Sequence, residues 1–204
     1  NEKPAVRDGS DYPRDPRTLA LYEKETGLGP DDNRQAWNQW RTDQVTLLLA
    51  KAYHASGRLE DAKNLLNSLI DFFPESAVTP LARVELSRVL YDLGLEREAV
   101  RYATQTVQAY PGHPDVLRNA GELLQVNGEI LDAARSLLAA HTAGADDPDL
   151  LLAAGKLFAA ANAYPEAKRA LVKLADDYAA SRQGLMGNIE LSKLLYEEGR
   201  VSDA

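Results

Sequence analysis

Residues 80–99 read PLARVELSRVLYDLGLEREA, and residues 114–133 read PDVLRNAGELLQVNGEILDA. The two stretches share one frame. Each starts on a proline (Pro80, Pro114), has a glycine fourteen residues on (Gly94, Gly128) and an alanine five residues later (Ala99, Ala133). Proline suits the first turn of a helix, where its missing amide hydrogen leaves no bond unmade. Glycine tolerates the left-handed backbone that ends one helix and turns the chain into the next. Between proline and glycine, Leu86, Val89 and Leu90 recur at helical spacing. Each stretch therefore predicts a helix of about four turns, a tight turn and the start of a second helix.

The frame extends in both directions. Its alanines fall at 62, 99, 133, 167 and 204, in steps of 37, 34, 34 and 37. Five residues before each stands Gly57, Gly94, Gly128, Asn162 or Gly199, and asparagine is the other residue that accepts left-handed backbone. Pro148 continues the proline series, and Thr79, His113 and Asp147 precede the three prolines as expected helix caps. Leu66, Leu69 and Ile70 mark the apolar face of a second helix. Self-similarity at this period is the signature of a helical repeat array. The units run over 43–79, 80–113, 114–147 and 148–184, with an incomplete fifth at 185–204; three-residue insertions near 76–79 and 182–184 account for the longer steps.

This pattern resembles the tetratricopeptide repeat family. That family prefers a small eighth residue (Ala50, Ser87, Gly121, Gly155, Ser192) and a large eleventh (Tyr53, Leu90, Leu124, Phe158, Leu195). It also prefers glycine at the fifteenth place and alanine at the twentieth. Its proline at the thirty-second place is met by Pro74 and Pro111 and replaced by Ala145 and Ala179. The resemblance implies an all-α, right-handed superhelical solenoid of antiparallel helix pairs. The aromatic-ended joints at Phe72-Phe73-Pro74-Glu75-Ser76 and Tyr178-Ala179-Ala180-Ser181 are similar to those of bacterial envelope tetratricopeptide proteins. Examples are the outer-membrane assembly lipoproteins and the Tol-associated periplasmic coordinator. A periplasmic or envelope-associated location is therefore expected over a cytoplasmic one. The fifth unit stops early in its second helix, so the parent protein is expected to continue, with further repeats covering that face.

Ahead of the array, residues 1–16 carry Pro4, Gly9, Pro13 and Pro16 and read as an extended or disordered lead. Residues 17–42 read as a helical cap. Within it, a short helix over 17–26 ends at Gly27, and Asp31 or Asp32 caps a longer helix through Trp37 and Trp40. The two tryptophans share a face. They are expected to cover the exposed end of the solenoid, the competing role being a binding hot spot.

Composition narrows the function. The 204 residues carry a formal net charge of −8 and a pI near 5.0. That balance opposes general nucleic-acid binding, which needs a basic stripe, and polybasic docking on an anionic membrane. The chain has no cysteine, so disulfides and thiolate metal sites are excluded. The longest apolar runs, such as 45–50 and 150–154, are too short to span a bilayer, so no direct membrane insertion is expected.

The resemblance places function in a concave groove lined by first helices, at the second, fifth, ninth, twelfth and thirteenth residues of each unit. The ninth residues are Lys51, Arg88, Glu122, Lys156 and Lys193; the twelfth include His54, Tyr91, Gln125, Ala159 and Tyr196. Four of these five ninth residues are basic in an acidic chain, a local reversal that would steer an acidic partner protein or peptide into the groove. The competing reading pairs these cations with nearby glutamates such as Glu85 and Glu190. The carboxylate clamp of chaperone-binding relatives is not matched, because Leu47 with Lys51, Val84 with Arg88 and Arg118 with Glu122 lack its lysine–asparagine combination.

Catalytic groupings are absent from the sequence pattern. His54, His113 and His141 fall on different elements without metal-ligand spacing. Asp31-Asp32, Asp146-Asp147 and Asp176-Asp177 suit helix ends, and Gly27-Leu28-Gly29-Pro30 lacks the third glycine and preceding strand of a phosphate loop. The expectation is a non-enzymatic scaffold without cofactor or metal that binds a protein partner, within a bacterial envelope or secretion assembly. The alternatives are a self-associating structural array and the periplasmic scaffold of an exopolysaccharide synthesis or export protein.

Overall fold

Helix and turn alternate at the period of the sequence frame. The structure, a computed structural model, describes residues 34–197 and 199, with side chains described from Thr42 onward. Among the described residues there are nine helices and no strand: α1 (Arg34–Ala55), α2 (Leu59–Phe72), α3 (Thr79–Asp92), α4 (Glu96–Ala109), α5 (Pro114–Val126), α6 (Ile130–Thr142), α7 (Pro148–Ala160), α8 (Tyr164–Asp177) and α9 (Arg182–Glu197). Successive helices pack on each other along the whole chain, α1 with α2, α2 with α3 and so on to α8 with α9. The result is an all-α solenoid of helix pairs. The expectations for residues 1–33, for the side chains of Trp37 and Trp40 and for residues 201–204 lie outside the described residues; the backbone of α1 runs helically through both tryptophans.

The turns inside the pairs explain the glycine series. Gly57, Gly94, Gly128 and Gly199 have φ between 77° and 85°, and Asn162 takes 57°. At each of the first three, and at Asn162, two amides close the helix end in the same way. Gly94 N–H donates to Tyr91 O and Leu95 N–H to Leu90 O, a Schellman motif that satisfies carbonyls otherwise left open. Asn162→Ala should cost about 1 kcal/mol, since alanine lacks asparagine's tolerance of this conformation, whereas Asn162→Gly should be neutral or stabilising. Urea denaturation of the two variants checks the ordering.

The proline-proximal caps differ in part from expectation. Only Asp147 caps with its side chain, accepting from Asp149 N–H at 3.0 Å. His113 occupies the cap without a side-chain bond. Thr79 lies inside α3 and donates instead to Phe73 O at 2.7 Å, tying the longer joint of residues 73–78 back on itself. The same joint gives Ser76, whose hydroxyl donates to the buried Asp43 carboxylate at 2.5 Å. The joint before α9 is held differently. Tyr178 O–H donates to Asp146 at 2.5 Å, and chiefly this bond pushes the tyrosine pKa up to about 12. Gly184, in the first turn of α9, sits against Tyr178, where any Cβ would overlap the carbonyl group.

The core runs as one strip between the helices. Ala62, Ala99, Ala133 and Ala167 are completely buried, which lets the two helices of each pair approach closely. The facing eighth residues Ala50, Ser87, Gly121 and Gly155 are buried as well, as are Leu66, Leu69 and Ile70 of α2 and Leu86, Val89 and Leu90 of α3.

Candidate binding groove

First helices and second helices form different sides of the solenoid. Beyond the consecutive packing, α1 touches α3, α3 touches α5 and α7 touches α9; α5 and α7 make no comparable contact. Second helices of neighbouring units make no comparable contact among the described residues. The side on which every other helix approaches is the inner one, so the first helices form the concave face.

The ninth and twelfth residues lie on this face, and three of them, His54, Arg88 and Lys156, are tied to the next unit. His54 places Nδ1 2.7 Å from Glu85 Oε1 and Nε2 2.7 Å from Asp92 Oδ2. Arg88 donates from Nε to Asn119 Oδ1 at 3.1 Å and from Nη2 to Glu122 Oε2 at 3.4 Å. Asn119 is buried and donates to Ser87 Oγ at 2.7 Å, which in turn donates to Val84 O. Lys156 Nζ stands 3.6 Å, and Lys193 Nζ 3.1 Å, from the same Glu190 Oε1. A rule emerges: the ninth or twelfth residue of one unit meets the sixth residue of the next, as His54–Glu85, Arg88–Asn119 and Lys156–Glu190. At the joint between the third and fourth units the rung is missing, because Glu122 is followed by Ala153.

The sequence-predicted groove residues are thus brought to one face, but three of the four cations already have carboxylate neighbours. Glu190 plays the pairing role expected of it, and Glu85 pairs with His54. Asn119 and Asp92 were not anticipated; the signal for Asn119 is a polar residue in a buried register, 31 residues after Arg88. Lys51 is exposed and makes no ion pair with another described residue. Tyr196 is 67% exposed, Gln125 is exposed, and Tyr91 and Ala159 are half-buried against the core. At the fifth place, Leu47 and Val84 are buried rather than groove-lining, since aliphatic residues there fill the contact between first helices. Among the described residues, no three His, Asp or Glu side chains could together hold a metal ion, and no helix is long and apolar enough to cross a membrane.

Comparison with known proteins bears on the repeat itself. Residues 44–76 match the family model described as tetratricopeptide repeat. No curated protein matches the sequence. Among solved structures, a tetratricopeptide repeat protein from Parabacteroides merdae ATCC 43184 is similar at 16% identity and TM-score 0.62, covering 78% of this chain and 62% of that protein. MamA from Desulfovibrio magneticus RS-1, residues 41 to its end, is similar at 15% identity and TM-score 0.58, covering 79% of this chain and 88% of that one. A chain of the Naa15/Naa10 structure bound to HypK-THB is similar at 11% identity and TM-score 0.64, covering 79% of this chain and 24% of that one. The chain thus spans less than two thirds of the Parabacteroides protein. At these identities the likeness is one of fold. With the repeat matched over residues 44–76 and the same helix pairs stacked through α9, the chain has the fold of a tetratricopeptide-repeat solenoid.

Proposed function

We propose that the chain is a non-enzymatic scaffold that holds a segment of a partner protein along its first-helix face. The observation that carries this reading is the one-sided display of Lys51, Gln125, Lys193 and Tyr196 beside residues that brace the face from unit to unit. The Naa15/Naa10 structure bound to HypK-THB shows a chain of this fold within a multiprotein complex. An acidic segment would meet Lys51 first and then exchange with Glu122 and Glu190 for their cations. Such an exchange at exposed pairs costs little, because each pair is worth about 0.2–1 kcal/mol.

The expected result is that a fluorescent oligo-glutamate peptide binds and an oligo-lysine peptide of equal length does not, with affinity falling as salt rises. Reversing charge together at Lys51, Arg88, Lys156 and Lys193 should weaken acidic-peptide binding by about tenfold or more and flatten its salt dependence. Circular dichroism of the variant should stay unchanged. Equal binding by the variant would remove the groove as the site. The aromatic-ended joints support placing the scaffold in a bacterial envelope or secretion assembly, which cell fractionation tests.

A further inference from the structure

We infer that the first unit is latched to the second by a protonated His54, so that this joint, alone among the four, loosens as pH rises through the neutral range. A neutral imidazole carries one N–H and one lone pair. Here both ring nitrogens stand 2.7 Å from carboxylate oxygens, Glu85 on one side and Asp92 on the other. Both contacts are attractive only when both nitrogens donate. Losing the proton turns one of them into lone pair against carboxylate, and the Glu85 side chain, only 7% exposed, can draw little compensation from water.

Among the described residues no other joint sets a histidine between two carboxylates; His141 of the third unit meets Tyr178 of the fourth ring against ring, with centroids 6.2 Å apart. Arg88 meets Asn119 through its guanidinium, and Lys156 meets Glu190 through its ammonium group, so neither contact runs through an imidazole. Between the third and fourth units no ninth- or twelfth-residue rung is present among the described residues; Arg118 Nη2 instead stands 3.4 Å from Asp147 Oδ2 at the cap of α7. The charged groups around His54 are few. From α3 come Glu85 and Asp92, while Arg88 of the same helix is engaged by Asn119 and Glu122. Lys51 lies on His54's own helix, three residues before it. On α2, packed against α1, Glu60 pairs with Lys63, and Asp61 pairs with Arg58 just ahead of that helix.

Burial alone would lower the His54 pKa; hydrogen bonds to the two carboxylates, and their charges, outweigh it and hold the value above 6.5. The sign follows from linkage. Because the folded value exceeds the unfolded one, the stabilisation is fully present below about pH 6.5 and is lost as pH rises through the folded value. Each unit of elevation corresponds to a tenfold rise in the opening constant between the two limits.

The test combines proton NMR of the three histidines with hydrogen exchange resolved by unit, corrected for the intrinsic pH dependence of exchange. His54 should titrate above 6.5. Opening of residues 43–72 should rise with pH in step with that titration, while residues 80–177 stay flat. His54→Arg keeps a cation and should hold the first unit closed at all pH values. Glu85→Gln removes the buried negative charge while keeping an acceptor oxygen, and should lower the His54 pKa and shrink the pH response. A His54 that titrates at or below 6.5, or a first unit whose pH response survives His54→Arg, overturns the latch.

Discussion

Phe158→Ala should lower the stability of the fourth unit by about 3–5 kcal/mol, the cost of emptying a large aromatic site in a packed interior. Phe158 is the eleventh residue of its unit and is 2% exposed. It lies on α7, which packs against both α6 and α8, so the cavity would open where three helices meet. In a repeat array the loss stays local at first, because each unit contacts only its neighbours. Urea denaturation followed by circular dichroism should therefore split into two steps. Residues 148–177 lose hydrogen-exchange protection first, and residues 43–126 follow at higher denaturant. The equivalent Tyr53→Ala should cost clearly less, because Tyr53 is only half-buried at the edge of the core. A single transition shifted by less than 1 kcal/mol for Phe158→Ala would show that the site collapses around the gap.

The contrast between Phe158 and Tyr53 shows what the sequence could and could not reveal. The eleventh place is legible as large in every unit, but its residue type alone does not separate the buried Phe158 and Leu195 from the half-buried Tyr53. The turns were wholly legible for a stricter reason. A left-handed residue closes the turn inside each pair, and glycine and asparagine accept it cheaply, so Gly57, Gly94, Gly128, Asn162 and Gly199 mark the series; Gly144, with φ 105° at the joint before α7, lies outside it. Caps were less legible, because several local bonds compete for the same hydroxyl. Thr79 spends its hydroxyl on Phe73 O within the long joint instead of on the start of α3.

The groove was legible as a row and illegible as an electrostatic surface. Reading every ninth residue finds Lys51, Arg88, Lys156 and Lys193, but the potential they make depends on the sixth residues of the following units. Those partners lie 31 residues after His54 and Arg88 and 34 after Lys156, a separation that no helical period predicts. Glutamate at 85 and 190 reads naturally as a partner for a cation. Asparagine at 119 does not, since only burial between two first helices turns it into an acceptor for Arg88. What the sequence presents as a cationic strip is therefore, in the fold, largely a ladder of inter-unit braces with Lys51 left over at one end.

The same dependence of one helix on the next decides the sign of a glycine substitution. Glycine inside a helix costs about 1 kcal/mol relative to alanine, so Gly155→Ala should stabilise α7 if propensity alone counted. A Cβ at that position, however, would stand 2.6 Å from Leu171 Cδ2 and 2.7 Å from its Cγ. The clash reaches the branch point of the side chain, so rotating a methyl group does not relieve it, and Leu171 is 1% exposed with no free space to enter. Overpacking of this kind costs about 1–3 kcal/mol and outweighs the propensity gain. Leu171→Ala alone should cost about 2–5 kcal/mol through its cavity. The double variant should then recover more than 1 kcal/mol relative to the sum of the two, because the new methyl group enters the space the leucine leaves. The second unit already holds a pair of that size, with Ser87 at the eighth place and Ala103 in the register of Leu171, both buried. Strictly additive losses in a denaturation cycle over the four proteins would mean that Gly155 and Leu171 do not constrain each other, and that glycine is held there by something other than the approach of α8.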